Sequence, residues 1–454
     1  MKEVFDYIDS HFDEYLEELF GFLRCTGIST QNIGVQEAAE HLANIMRSSG
    51  IENVAIYPTE RHPVVFGEII TDPSLPTELI YGHYDVQPPE PYELWETPPF
   101  EPAIRDGRIY ARGSSDDRGQ LFAQIKGVEA YKRVKGKLPV NVKFIFEGEE
   151  EIGSVHLDQF VREHKELLKC NATLCSDGHM HESRTPIVRL GHKGMLTFTI
   201  TLRGANRDTH SQRAGSLPNP IWRMANLLST IRNGDDAVVM IDGFYDSVRE
   251  PTEKEIEACM KVPFDEAGLE KSYGVKLLMN RKTSNYYYNL MFEPTCNVQG
   301  MYGGYTGEGS KTVLPNKAVA KFDVRLVPDM APDEIIDKLR RHLDARGYHD
   351  AEIEVGEGYY PGRVPIDNPY VDVYVKAVSE GFGTQPYIYP GSGGCAPHSI
   401  FERNLGVPYV SIPLGYGDQN NHAPNENLGL DAFKKGIRTA AAVVEHFIEA
   451  GKAE

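Results

Sequence analysis

Five short stretches combine residue types that could hold a metal or move protons. Tyr81-Gly82-His83-Tyr84-Asp85-Val86 follows directly on an apolar run from Leu79. In open α/β sheets ligand sites gather at the carboxyl ends of strands. Two residues further on, Asp85 can accept a hydrogen bond from one imidazole nitrogen of His83 while the other nitrogen meets a metal. A lone histidine serves just as readily for packing. Ala111-Arg112-Gly113-Ser114-Ser115-Asp116-Asp117 closes a hairpin marked by Asp106-Gly107 and opens a helix, so Asp116 or Asp117 could simply cap that helix. In Phe146-Glu147-Gly148-Glu149-Glu150-Glu151-Ile152 four carboxylates leave one apolar strand. They repel one another unless they form a solvated loop or a divalent cation turns the repulsion into attraction, freeing one as a base. Ser176-Asp177-Gly178 and Asn420-Asn421-His422-Ala423-Pro424-Asn425-Glu426 complete the set. Together they form a hard oxygen and imidazole donor set suited to Zn²⁺, Mn²⁺ or Co²⁺.

Other chemistries fit less well. No His-Glu-x-x-His pair occurs, and Gly304 to Lys311 has Ser310 where a phosphate loop needs lysine. Gly391-Ser392-Gly393-Gly394-Cys395 matches no nucleophile elbow and has no base tied to it.

These stretches must be positioned by a large fold. With 454 residues, two or three domains are expected. A formal net charge of −19 repels phosphate backbones and anionic lipid, which argues against nucleic-acid and membrane partners. Six scattered cysteines fit neither a disulfide framework nor paired zinc-finger spacing, and point to a reducing cytoplasm. Residues 4–23 read as one amphipathic helix rather than a signal peptide. Helices are expected at 36–49, 118–134 and 155–168, with strands at 53–57, 64–70, 78–81, 140–146 and 172–176. This alternation predicts a largely parallel sheet covered by helices. From Ile187 the texture changes: Leu196, Phe198, Ile200 and Leu202 alternate, then a helix opens at Pro220, with strands at 296–300 and 318–327, a helix at 332–345 and a strand at 351–356. That β-α-β-β-α-β order predicts an inserted α+β module over 187–361, with 1–186 and 362–454 forming the catalytic domain. The stretch 233–312 has no assigned structure.

The motifs taken together resemble the dinuclear-metal exopeptidase and deacylase family that includes carnosinase, cytosolic nonspecific dipeptidase, aminoacylase, acetylornithine deacetylase and succinyl-diaminopimelate desuccinylase. The resemblance spans the whole chain and rests on the five stretches above together with Asp208-Thr209-His210-Ser211. It implies that His83, Asp116 and Asp177 hold one metal and Asp116, Glu151 and His422 a second, with two divalent ions per subunit, Zn²⁺ first and Mn²⁺ or Co²⁺ as alternatives. Glu150 would be the general base and Asp85 the partner of His83. His210 would reach a neighbouring subunit's site in a homodimer, making the module both lid and dimer surface. Arg325 resembles the family's substrate-carboxylate arginine, although an alternating strand with Lys321 and Asp323 could place it on a solvated face. Gly393 and Gly394 resemble its substrate-contacting turn. Two positions depart from the pattern: Ser392 stands where dipeptidases of the family often carry an acid, and Gln212 where the family tends to glycine. The reading lies nearest the dipeptidase branch: hydrolysis of dipeptides or very short peptides by a metal-activated water. An N-acyl amino-acid deacylase and a non-catalytic peptide-binding protein are the alternatives.

Overall fold

The computed structural model describes residues 1–232, 237–278 and 285–450. They form two compact units, one of Met1–Leu190, Val364–Pro390 and Ile400–Glu454, the other of Gly191–Arg363 and Gly391–Ser399. The expected division kept all of 362–454 with the first unit, so the short segment 391–399 is a correction. Long-range contacts draw it into the second unit. The Lys193 N–H donates to the Gly394 carbonyl at 3.0 Å, and Arg325 Nη1 donates to Cys395 Sγ at 3.3 Å.

The first unit is built on an eight-stranded sheet. Its core strands, Asn141–Glu147, Thr77–His83, Ala172–Cys175 and Tyr409–Ser411, lie side by side and parallel. Val64–Ile69 and then Glu52–Tyr57 add antiparallel at one edge; at the other, Ile187–Arg189 runs antiparallel to Tyr409–Ser411 and Tyr387–Tyr389 parallel to Ile187–Arg189. Strands covered on both faces should be apolar at successive positions, and these are. Ile80, Phe144 and Leu174 face one core with the long helices, while Leu79, Tyr81, Ile145 and Cys175 face a second with Phe160 and Phe401. The helix Arg118–Lys135 is buried along most of its length against Leu430–Ala450. Gly127 permits that approach: a Cβ there would stand 2.4 Å from Ala440 Cβ.

Two helices differ from expectation. The N-terminal helix is split into Lys2–Ser10 and Phe12–Leu23, because His11 leaves helical geometry at φ −110°, ψ 10°. Its N–H still makes the last i→i−4 bond, to the Tyr7 carbonyl, and its Nδ1 reaches the same oxygen and caps that end. The helix expected at 155–168 spans only Leu157–Glu163.

The second unit is an antiparallel sheet in the order Thr295–Gly303, Lys317–Leu326, Gly194–Arg203, Glu352–Tyr359. The helices Pro220–Ile231 and Pro332–Ala345 complete the β-α-β-β-α-β order. Leu196, Phe198, Ile200 and Leu202 meet Met224, Leu227, Leu339 and Leu343 in one core, leaving the intervening threonines half-exposed. The stretch 233–312, unassigned from sequence, contains helices Glu253–Met260, Glu266–Tyr273 and Tyr286–Phe292, while 233–236 and 279–284 lie outside the described residues. The first of these helices is announced by Thr252 and Glu255, a reciprocal capping box that satisfies two otherwise orphaned N–H groups.

Candidate metal centre

Within the first unit, the parallel strands end on one set of loops. His83 is the last residue of its strand, Glu147 the last of the adjacent one, and Asp177 follows the next. Asp116 comes from the turn before Arg118–Lys135, Glu150 and Glu151 from a short 3₁₀ turn, and His422 from a loop before Asn427–Gly429. That last loop holds Asn420, His422 and Asn425 at φ 55°, 56° and 61°, left-handed values unusual for residues with a Cβ.

The side chains converge on Asp116. Its Oδ1 lies 3.1 Å from His83 Nε2, and its Oδ2 lies 2.9 Å from His422 Nε2. His422 Nε2 is also 3.1 Å from Glu151 Oε2. One ligand atom each from His83, Asp116 and Asp177 lie within 4.8 Å of one another, and so do those from Asp116, Glu151 and His422. Asp116 is common to both groups. Glu150 belongs to neither, yet its Oε2 stands 4.0 Å from His83 Nε2. His83 Nδ1–H donates to the Asp85 carbonyl at 3.1 Å, a tautomer that leaves Nε2 to act as donor to a metal. The Asp85 carboxylate stands 3.4 Å from the same nitrogen and accepts the N–H groups of Glu150 and Glu151 at 3.2 and 3.1 Å. One buried carboxylate thus links the imidazole to the turn that carries the base candidate.

Electrostatics tests whether this donor set fits cations. Burial pushes the carboxyls of Glu150 and Asp177 up, and that of Glu151 to about 7. Burial also favours protonated Asp116, but bonds from His422 and His83 outweigh it and hold Asp116 low. His422 is lifted to about 10 by Asp116 and then Glu151. Burial alone would lower His83, yet its bonds to Asp116 and Asp85 win and raise it. The protein by itself therefore gathers protons into an over-negative cluster, and divalent cations would take their place. Glu151 Oε1 is buried without a hydrogen-bond partner, as an oxygen kept for a cation would be. The residues fit a pair of divalent ions with oxygen and imidazole ligands.

The other two glutamates of the acidic run face elsewhere, which replaces the solvated-loop reading. Glu147 is buried, accepts from Tyr81 Oη at 2.6 Å and Ser154 Oγ at 2.8 Å, and burial lifts it to about 8. Glu149 accepts the His62 N–H at 2.8 Å and pairs with His156 Nδ1 at 2.8 Å. The capping alternative also fails for Asp117: it makes no side-chain cap bond, and its Oδ2 accepts the His83 N–H at 3.2 Å. Two residues quoted within the motifs but given no role, Arg112 and Glu426, form a buried ion pair of 2.7 Å beside the cluster.

The remaining candidates lie in the second unit. His210 is exposed in a two-stranded ladder with Val313, and its Nδ1 accepts the Gln212 N–H at 3.1 Å. Asp208 Oδ1 accepts the Asn316 N–H at 3.0 Å. Arg325 shares a strand face with exposed Lys321 and half-buried Asp323, but its guanidinium reaches Cys395, next to Gly394. Arg325 and the Gly393-Gly394 turn are therefore neighbours within one unit.

Residues 79–446 match the profile of peptidase family M20/M25/M40. The chain belongs to this family. It is 31% identical over 388 residues to the Cys-Gly metallodipeptidase dug1 of Schizosaccharomyces pombe, covering 83% of this chain and 81% of that protein. The Beta-Ala-His dipeptidase of Homo sapiens is 27% identical over 471 residues, 97% of this chain and 92% of its own. Among solved structures, the M20 family metallo-carboxypeptidase Sso-CP2 from Sulfolobus solfataricus superposes with a TM-score of 0.87 at 36% identity, covering 96% of this chain and 99% of that one. The family resemblance read from the motifs, its dipeptidase branch and the α/β fold with an α+β module are thereby established, and the chain is a metallohydrolase. No helix among the described residues is long and apolar enough to cross a membrane.

Proposed function

We propose that the protein is a dinuclear metallopeptidase that hydrolyses dipeptides and very short peptides, with His83, Asp116 and Asp177 holding one ion and Asp116, Glu151 and His422 the other. The observation that carries this reading is a single carboxylate, Asp116, shared by two ligand groups, with Glu150 4.0 Å from His83 and in neither group. Zn²⁺ suits the mixed imidazole and carboxylate set best, with Mn²⁺ and Co²⁺ as substitutes. Bound there, the ions supply Lewis-acid polarisation of the carbonyl and an acidified water. Glu150 takes the proton of the attacking water and returns it to the leaving amine. Asp85 holds His83 and the Glu150 turn in register. Arg325 receives the substrate carboxylate through its fork of donors, with Gly393 and Gly394 offering backbone N–H groups beside it. His210, donated by a second subunit, stabilises the oxyanion.

In this reading the first unit is the catalytic domain and the second the lid and dimerisation domain. The homodimer is supported by the edge strand Thr295–Gly303, which exposes Val298, Met301 and Tyr302. Unpaired edges carrying apolar side chains are rarely left uncovered. Among the described residues no cysteine forms a disulfide, in keeping with the cytoplasm. Dipeptidase names among the relatives disfavour the N-acyl deacylase and the non-catalytic binder.

A second reading, release of one C-terminal residue from longer peptides, is favoured by Ser392. Its hydroxyl bonds the Gly394 carbonyl at 3.2 Å and meets His192 Nδ1 at 3.3 Å, so the position preceding the glycine turn brings no carboxylate to a free amine. One experiment tests both. Chelated protein should be inactive, and protein reloaded with Zn²⁺, Mn²⁺ or Co²⁺ should cleave a library of dipeptides, N-acyl amino acids and longer peptides scored by mass spectrometry. Activity in verified metal-free protein rejects the mechanism, and the substrate profile chooses between the readings.

A further inference from the structure

We infer that the buried Arg112–Glu426 pair is the positioning device that sets the shared carboxylate Asp116, and through it both metal sites at once. This inference rests on the proposed metal centre. Glu426 is completely buried, and its two oxygens are fully engaged. Oε1 accepts the N–H groups of Ser115 at 2.9 Å and Asp116 at 3.0 Å; Oε2 accepts Gly113 N–H at 3.0 Å and Arg112 Nη1 at 2.7 Å. Its backbone carbonyl accepts the Ala111 N–H at 3.2 Å. One residue thus ties four N–H groups of the turn 111–116, the last of them belonging to Asp116.

Arg112 carries the tie onward. Its Nη2 donates to the Pro88 carbonyl at 3.2 Å, just beyond the His83-Asp85 segment, and its guanidinium lies 5.5 Å from the Trp95 ring centre. Glu426 itself sits four residues after His422, at the end of the loop with three left-handed residues. The segments that present His83, Asp116 and His422 therefore meet on a single ion pair. Such a pair is weak evidence for stability, because desolvating two charges offsets most of their attraction. Fixing a ligand's backbone is what outer residues of metal sites do, and losing one costs about 10- to 100-fold in metal affinity. Neither side chain supplies a ligand atom to the cluster, and Glu426 reaches Asp116 only through its backbone N–H, so both are positioning residues.

The arrangement makes a prediction that ordinary structural support does not. Asp116 belongs to both groups, so loosening it must weaken both sites, whereas Glu151→Ala removes a ligand from one. Purified metal-free protein is titrated with Zn²⁺ against a chromogenic chelator, and bound metal is counted by mass spectrometry. Wild type should bind two ions. Glu426→Gln should keep its circular dichroism and weaken both sites by about 10- to 100-fold. A merely structural role would lower the melting temperature of the metal-free protein and leave the Zn²⁺ affinity of the folded form unchanged. Wild-type affinity in Glu426→Gln, or weakening confined to one site, overturns the inference while leaving the metal centre intact. Failure of wild type to bind two ions instead overturns the metal centre itself. If Glu426→Gln does not fold, Arg112→Lys decides, since an ammonium keeps the charge but cannot span both Glu426 and Pro88. It should weaken both sites by about 10-fold, and unchanged affinity refutes the inference.

Discussion

Glu78 offers a stability test whose size follows from its surroundings. It lies on the strand Thr77–His83, 1% exposed, facing Tyr374 across the core. Tyr374 Oη donates to Oε1 at a long 3.4 Å, and Oε2 has no partner. Burial therefore dominates and pushes this carboxyl from 4.5 up to about 8. The folded protein keeps the proton over a range in which the unfolded chain has released it. An acid raised in this way contributes stability that is fully present below pH 4.5 and is lost as pH rises toward 8. Each unit is worth 1.36 kcal/mol, so the window of 8 − 4.5 = 3.5 units amounts to about 5 kcal/mol. Glu78→Gln keeps the shape and cannot ionise. Its amide puts two N–H donors where the protonated acid has a single O–H without a partner, and the extra unsatisfied donor costs about 1–3 kcal/mol at every pH. The variant should thus be slightly less stable than wild type at pH 5 and clearly more stable at pH 8.5. Urea unfolding of both proteins across this range measures the difference, and subtraction removes the pH dependence they share. Infrared spectroscopy should show a protonated-carboxyl band at neutral pH that shrinks in the variant. A stability difference that does not change with pH would refute the reasoning.

The adjacent glutamates should separate cleanly: Glu150→Ala should retain two metals yet lose about 10²-fold or more in kcat, while Glu151→Ala should lose one metal. Metal analysis with the reverse pattern would shift the assignment by one residue. Mixing inactive His210→Ala with inactive Glu150→Ala under subunit exchange should restore activity, because one site of each mixed dimer then carries neither lesion. Demonstrated heterodimers without turnover would place His210 in its own subunit's site.

Local spacing carried much of this protein. Alternation at Leu196, Phe198, Ile200 and Leu202 was enough to mark a one-sided strand, since side chains alternate across a pleat whatever the partner strand. Residue types at the ends of separate elements were enough to mark the stretches around His83, Asp116, Asp177 and His422 and the acidic run 147–151, and the family resemblance chose Glu150 and Glu151 within that run. The tertiary structure decided what distance in sequence conceals. It drew 391–399 into the second unit, broke the first helix at His11, and turned Glu147 and Glu149 away from the cluster while Glu150 and Glu151 entered it. Neighbouring carboxylates look alike in a sequence, and only the donors that surround each one distinguish them. Glu426 shows this most plainly: its bond to the Asp116 N–H spans 310 positions. No periodicity reports a contact of that length, because it exists only once strands from both ends of the chain lie in one sheet.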